Sequence, residues 1–286
     1  MHDRQSGWAS GFIGIAIFSG SLPATRVAVT DFDPTFLTFA RAAIAGVLAL
    51  VLLVGIPQRR PSRPDLPSLG IVAICVVVGF PLLTALALEH ITSAHSLVFI
   101  GLLPLATATF GVLRGGDRPS LGFWLFSLAG SALVAGFALT QDPSASWTGD
   151  ALMLAAIVAC GLGYAEGGRL ARTLGGWQVI SWALVLSLPL MLPLAVLSRP
   201  TTWANIAPSA WLALAYVSLF SMLIGFVFWY RGLSRGGIAA VGQLQLLQPF
   251  LGLALAATLL GESVSAAMAG VSLAVVVCVA LAKRFA

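Results

Sequence analysis

The chain has 286 residues, 59% of them hydrophobic and only 9% charged, with a formal net charge of +5 and a mean hydropathy of +0.99. Soluble proteins carry about 25% charged residues, so the composition excludes a soluble enzyme or soluble binding module and points to an integral membrane protein. The basic balance does not mark a nucleic-acid binder, because Lys and Arg fall in separate short segments and form no continuous stripe.

Ten uncharged stretches follow one another: 5–25, 42–58, 66–88, 91–113, 119–141, 151–165, 173–198, 200–230, 236–261 and 263–282. A helix needs about 20 apolar residues to cross about 30 Å of hydrocarbon, so the two shortest must take in neighbours such as Arg41 or Glu166. The runs are continuous and rich in Leu, Ala, Val and Gly, without the period-two alternation of a membrane β-barrel. The expected fold is therefore an all-α integral membrane protein with ten transmembrane helices. The first stretch has the outline of a signal peptide, with Arg4 before it and small residues from Ser21 to Ala28 beyond. Nine further spans favour a retained first helix.

Span one carries Gly7 and Gly11 at a small-xxx-small spacing, a small-polar break at Phe18, Ser19, Gly20 and Ser21, and Pro23. Span two is led by Pro34 and holds Arg41. Arg26 and Arg41 are placed near the outer ends of their helices, close to Asp31 and Asp33, as an outer gate or as snorkelling, surface-paired cations. On span three Phe80 and Thr84 share a face and Pro81 interrupts the helix. On span four His95 and Phe99 are one turn apart, followed by Pro104 and by Gly116, Asp117, Arg118, Pro119 and Ser120.

The link Gln141–Trp147, with Asp142, Pro143 and serines, reads as an exposed turn at mid-chain. On span six Tyr164 follows Cys160 by one turn, Gly163 pairs with Gly167, and Glu166 beside Arg169 reads as a helix-end ion pair. Span eight sets Ser218, Ser221, Met222, Gly225 and Trp229 on one face. Span nine holds Gln245 and Gln248 on one face, Gln243 turned away from both, then Pro249, Gly261 and Glu262. Cys75, Cys160 and Cys278 lie within apolar spans, lack metal-ligand spacing and read as reduced packing residues.

With the N-terminus placed in the cytoplasm, 12 of the 15 basic residues fall on the cytoplasmic side, as the positive-inside rule requires, and both termini are cytoplasmic. Trp8, Trp124 and Trp177 then lie near inner helix ends and Trp147, Trp203 and Trp211 near outer ones. The segments Ser93–Ser120 and Ile238–Ser265 carry the same punctuation at an offset of 145: Pro104 with Pro249, Gly116 with Gly261, Asp117 with Glu262, Ser120 with Ser265. A repeat with an odd number of spans must face the other way the second time. The expected organisation is two inverted five-helix repeats, 1–140 and 148–286.

The break in span one, the Pro-led second span with its internal Arg, the fourth span closing in Gly-Asp-Arg-Pro-Ser, and the Gln248, Pro249, Leu260, Gly261, Glu262 series resemble the EamA-type transporters of the drug/metabolite transporter superfamily. Within it the chain looks most like the bacterial aromatic amino acid exporters. Asp117 where Glu is usual, with Arg114 before it, departs from the family pattern. The resemblance implies a 5+5 bundle with a central cavity lined by spans 1, 3, 4, 6, 8 and 9.

In hydrocarbon a polar side chain must pair or line a wet cavity, so intramembrane polar residues are candidates for substrate binding. The expected lining is Ser19, Ser21, Phe80, Thr84, His95, Phe99, Tyr164, Ser221, Met222, Trp229, Gln245 and Gln248. Packing is the competing reading for each, and interhelical glue for the two glutamines. The expected hinges are Pro23, Pro81, Pro104 and Pro249, where a lost backbone hydrogen bond lets a helix bend. Aromatics, Met and amides suit amphipathic organic solutes and suit inorganic ions poorly.

The expected function is export of amino acids across a bacterial inner membrane by alternating access, the amino acid substrates being implied by the resemblance alone. A drug, nucleobase or other metabolite exporter of the same architecture is the alternative. No ATP-binding GxxxxGK[ST] loop is present, and no cofactor, metal or nucleic acid is called for. The partners are membrane lipid and small molecules, and a monomer suffices. A serine hydrolase built on Ser19 or Ser21 with His90 or His95 lacks the G-x-S-x-G context, and a channel would want rings of charge.

Overall fold

The computed structural model describes residues 2–87, 90–91, 99–141, 146–260 and 266–286. Every regular element among them is helical. The helices line up end to end into rods, and the first rod shows how the sequence breaks them. Helix α1 (His2–Ser19) and α2 (Ser21–Ala28) meet at Gly20. Pro23 has no N–H to give the Ser19 carbonyl, so the α-ladder fails there. Tyr216 steps in from another rod and donates its hydroxyl to the Ile17 carbonyl at 2.8 Å.

The second rod, α3 (Pro34–Gly55), starts sharply because Asp33 accepts from the N–H groups of Thr35 and Phe36 at 2.8 and 3.2 Å, with Pro34 in the first turn. The third opens with a 3-10 turn at Arg63–Asp65, held by the Ser62–Asp65 capping box. It continues as α4 (Leu66–Val72), a π-helical segment (Ala73–Gly79) and α5 (Phe80–Ala87). Helix α6 (Leu103–Gly115) ends at Gly116, whose φ of 75° is the left-handed cap that glycine takes at least cost.

Next come α7 (Leu121–Gln141), α8 (Trp147–Leu170) and α9 (Gly176–Leu197). The eighth rod is α10 (Pro208–Tyr216), a second π-helical segment (Val217–Ile224) and α11 (Gly225–Gly236). The ninth is α12 (Ile238–Gly242), a 3-10 segment (Gln243–Leu247) and α13 (Gln248–Leu260), and α14 (Ala266–Phe285) closes the chain.

Six of these stretches are long and apolar enough to cross a membrane: Gln5–Thr25, Pro34–Gly55, Arg63–Thr84, Trp147–Leu170, Gly176–Leu197 and Pro208–Gly236. Leu121–Phe137 is a shorter apolar helix. The expected spans 91–113, 236–261 and 263–282 each run into residues outside the described ones. Val51, Val54, Leu121, Leu197 and Leu212 lie on the outside of the bundle, more than half exposed. Such an apolar jacket is what hydrocarbon solvates.

The start points of the elements recur along the chain. The π-helical segments begin at Ala73 and Val217, and α6 and α13 at Leu103 and Gln248. Each pair is separated by 144 or 145 positions. Contacts follow the same scheme: α1 packs on α11 while α8 packs on α4 and α5, α8 packs on α6 while α1 packs on α13, and α3 packs on α9 as α7 does on α14.

Close approach comes from glycine. A Cβ on Gly7 would lie 2.4 Å from the Gly236 nitrogen, and one on Gly232 would lie 2.7 Å from the Gly11 Cα, so α1 and α11 meet backbone to backbone. Gly163 makes the matching contact for α8, where a Cβ would lie 2.4 Å from Val76. Where helix association gains nothing from expelling water, this closeness supplies the dispersion contacts that hold the rods together. Both small-xxx-small pairs therefore serve packing inside one chain.

Candidate substrate site

Departures from α-helical geometry recur in several rods. The Gly20 break, the two π-helical segments, the turn at Gly101 and Leu102 before α6, and the 3-10 segment Gln243–Leu247 fall in five rods. Each π-helical segment ends beside a glycine: a Cβ on Gly79 would lie 2.7 Å from the Ile74 carbonyl, and one on Gly225 would lie 2.9 Å from that of Phe220. The wide turn needs the space that a side chain would fill. Prolines stand at the restarts, Pro81 second in α5, Pro104 second in α6, Pro249 second in α13 and Pro23 third in α2. All four are thus in first turns, where the missing N–H is tolerated.

Around these departures the structure brings several expected residues together. Ser21 donates to Ser221 at 2.8 Å, joining the first and eighth rods beside the break. Tyr164 packs edge-on against Trp229 at 5.5 Å and Phe226 at 5.9 Å between ring centroids, and Phe18 packs on Phe226 at 4.8 Å. Trp229 is 0% exposed, so this aromatic cluster joins rods one, six and eight as a sealed floor. Met222 is buried and Ser221 nearly so. Phe80 and Thr84 are half-buried on α5, and the Thr84 hydroxyl oxygen is buried without a partner. Phe99 is half-buried against the core. Ser19 is buried, and its hydroxyl turns back to the Ile15 carbonyl at 2.7 Å. His95 lies outside the described residues, as do Asp142, Pro143, Gly261, Glu262, Ser265 and the side chain of Arg26.

Gln245 is fully buried and its amide nitrogen donates to Thr107 at 3.1 Å and to the Gly242 carbonyl at 2.9 Å, tying the ninth rod to α6. That is the glue role weighed against cavity lining for this residue. Its amide oxygen has no partner. Gln248 is half-buried at the start of α13. The 3-10 turn keeps the two glutamines eclipsed, since its repeat is three residues. Gln243 is 0% exposed with neither amide atom partnered, and on α7 the hydroxyls of Ser127 and Ser131 are likewise buried and unpartnered. Thr107 and Tyr216 were not legible as site residues, because each acts on a backbone or amide group that is free only at a break.

At the end of the bundle where α8 stops, a charged cluster clamps four rods. Glu166 is 0% exposed and accepts from Arg114 of α6 and, at 2.8 Å, from Arg169. Arg169 also donates to Ser68 of α4 at 2.7 Å. Asp117 accepts from Arg172 at 3.2 Å and from the Ala239 N–H at 2.7 Å. The expected local pair of Glu166 with Arg169 is thus part of a wider network, and the unusual Arg114 and Asp117 both belong to it. At the opposite end Asp33 caps α3 and Asp31 accepts from the Ala207 N–H at 2.8 Å ahead of α10. Among the described residues no ion pair joins Arg41 to either acid, and its Nε is buried without a partner.

Among the described residues no three or more His, Cys, Asp or Glu side chains gather as a metal site. The three cysteines are free.

Comparison with known proteins fits this arrangement. The EamA-like transporter family profile matches the chain twice, over residues 5–139 and 147–282. The chain is 68% identical over 286 residues, all of both proteins, to the "Uncharacterized transporter YdeK" of Bacillus subtilis. It is 24% identical over 253 residues to the "Probable terminal-alkyne amino-acid exporter" of Streptantibioticus cattleyicolor, covering 87% of this chain and 83% of that one. A crystal structure of a protein 22% identical in sequence superposes with a TM-score of 0.81 over 98% of this chain and 97% of the other, a likeness of fold.

Proposed function

The chain belongs to the EamA-like transporter family, and we propose that it is a plasma-membrane exporter of aromatic and other neutral amino acids, working by alternating access between two inverted five-helix halves, 1–140 and 148–286. One observation carries the mechanism: the π-helical segments, and the restarts at Leu103 and Gln248, recur at 144 or 145 positions. Jointed rods can swing their ends apart while the middle stays packed. The clamp of Glu166 with Arg114 and Arg169 is then the closed cytoplasmic gate, and rocking must break it.

The substrate class rests on the chemistry around the breaks. Ser21, Ser221, Thr84 and Gln248 supply neutral hydrogen-bonding groups, and the carbonyls released at the prolines supply acceptors for an ammonium group. Phe18, Tyr164, Phe226 and Trp229 supply aromatic surface beside them. A zwitterion with an apolar side chain suits this mixture better than a bare ion does. The relative named as a probable amino-acid exporter supports the same class. Transport in this reading is facilitated or weakly coupled.

Purified protein in sealed proteoliposomes is expected to catalyse counterflow of labelled phenylalanine, threonine or methionine. Folded protein that exchanges none of the three rejects the substrate class and leaves the drug or nucleobase exporter of the same family.

A further inference from the structure

A cavity of about 340 Å³ opens where α8 ends, α9 begins and α11 ends, away from the helix breaks. Its walls include Trp177, Gln178, Arg231, Ser234 and Arg235, and no acidic residue lines it. Glycine makes it: a Cβ on Gly176 would lie 2.8 Å from both the Arg231 nitrogen and the Val227 carbonyl, so α9 starts directly on the backbone of α11. Gly175, at φ 96°, caps α9 with no side-chain bond, which leaves the first N–H groups of a 22-residue helix without a side-chain acceptor. Arg231 and Arg235 are one turn apart on α11, so both guanidinium groups reach the same opening. At this end Arg114 and Arg169 pair with Glu166 and Arg172 pairs with Asp117, whereas Arg231, like Arg118, enters no ion pair among the described residues.

We propose that this cavity binds one phosphate group of an anionic phospholipid. The ligand chemistry is a tetrahedral, singly or doubly charged phosphate, which forked guanidinium donors match in geometry and charge. The position favours a lipid as its source. The cavity lies at the ends of membrane-crossing helices, with the Trp177 indole in its wall, where headgroups and amphipathic aromatic rings share a layer. Acyl chains would lie along the exposed apolar side of α9, where Leu186 and Leu190 face outward.

Delipidated protein in detergent tests the assignment by thermal unfolding and native mass spectrometry, titrated with phosphatidylglycerol, phosphatidylcholine or inorganic phosphate. Phosphatidylglycerol is expected to raise the melting temperature and to remain bound, and phosphatidylcholine to do neither. The R231Q/R235Q variant is expected to need about 30-fold more phosphatidylglycerol for the same shift, at the usual contribution of a basic residue near an anionic surface. The charge-matched R59Q/R60Q variant, altered in the exposed 56–62 loop, is expected to titrate as the parent does. Should R231Q/R235Q fail to fold, R231Q alone makes the same comparison. Equal shifts from the two lipids, or an R231Q/R235Q titration matching the parent, overturn the proposal. A shift produced as well by inorganic phosphate keeps the anion site but overturns the lipid.

Discussion

Trp229 and Tyr164 show how little a residue's type says about what it touches. Both were expected on a cavity wall, and both pack in an aromatic floor that also contains Phe18 and Phe226. Cutting Tyr164 back to Ala removes a large buried ring and one edge of that floor. Gln248→Ala removes a half-buried amide at the start of α13, and Cys278→Ala alters a half-buried residue of the last helix that the site assignment does not use. Counterflow is expected to fall at least about tenfold for Tyr164→Ala and Gln248→Ala, a loss of about 1.4 kcal/mol in the transition state. Cys278→Ala is expected to stay close to the parent. Equal effects of all three would sink the site assignment. The glutamines mark the limit of sequence pattern: spacing puts Gln245 and Gln248 on one face, yet Gln245 is spent on Thr107 and Gly242, because a partner 138 residues away leaves no trace in local periodicity.

Among the elements, glycine contacts decide which helices pair. Gly7→Ala places a methyl group against the Gly236 backbone, which has no rotamer through which to yield, and α1 must withdraw from α11. Gly70 lies in α4 with nothing within 4 Å of its would-be Cβ. Gly7→Ala is therefore expected to lower stability by about 1–3 kcal/mol, the usual range for overpacking. Gly70→Ala is expected to be neutral or to gain up to about 1 kcal/mol from helix propensity. Thermal unfolding in one detergent compares the two, and a Gly7→Ala protein as stable as the parent contradicts the backbone contact. Much of this level was legible beforehand, since breaks announce themselves as Pro and Gly within apolar runs. The π-helical segments were not legible, because a wide turn uses the same apolar residues as a narrow one and differs only in which carbonyl each N–H finds.

For the whole molecule, the proposed mechanism makes the charged clamp the contact that must open. Glu166→Gln removes the buried charge that Arg114 and Arg169 share. Because both arginines are nearly half exposed and can take up water, the stability loss is expected to stay below the ~3–5 kcal/mol of stranding a wholly buried partner. The larger effect falls on the balance between conformations. In a cysteine-free background with Thr107→Cys, Glu166→Gln is expected to raise labelling by a membrane-impermeant maleimide from the cytoplasmic side about fivefold or more, the lower end of usual coupling energies. An unchanged rate would separate the clamp from the gate. The positive-inside pattern placed these arginines at one end, but their fixed pairing needed the tertiary structure, since Arg114 and Glu166 are 52 positions apart.

The paired π-helical segments also bear on how the chain arose. A π-helical turn holds one residue more than the α-helical turn it replaces, so each segment is in effect a single inserted residue that its rod had to absorb. Such segments are rare, and two of them 144 positions apart are most economically one insertion made in a five-helix ancestor and then copied with it. On that account the extra residue is older than the two-halved protein.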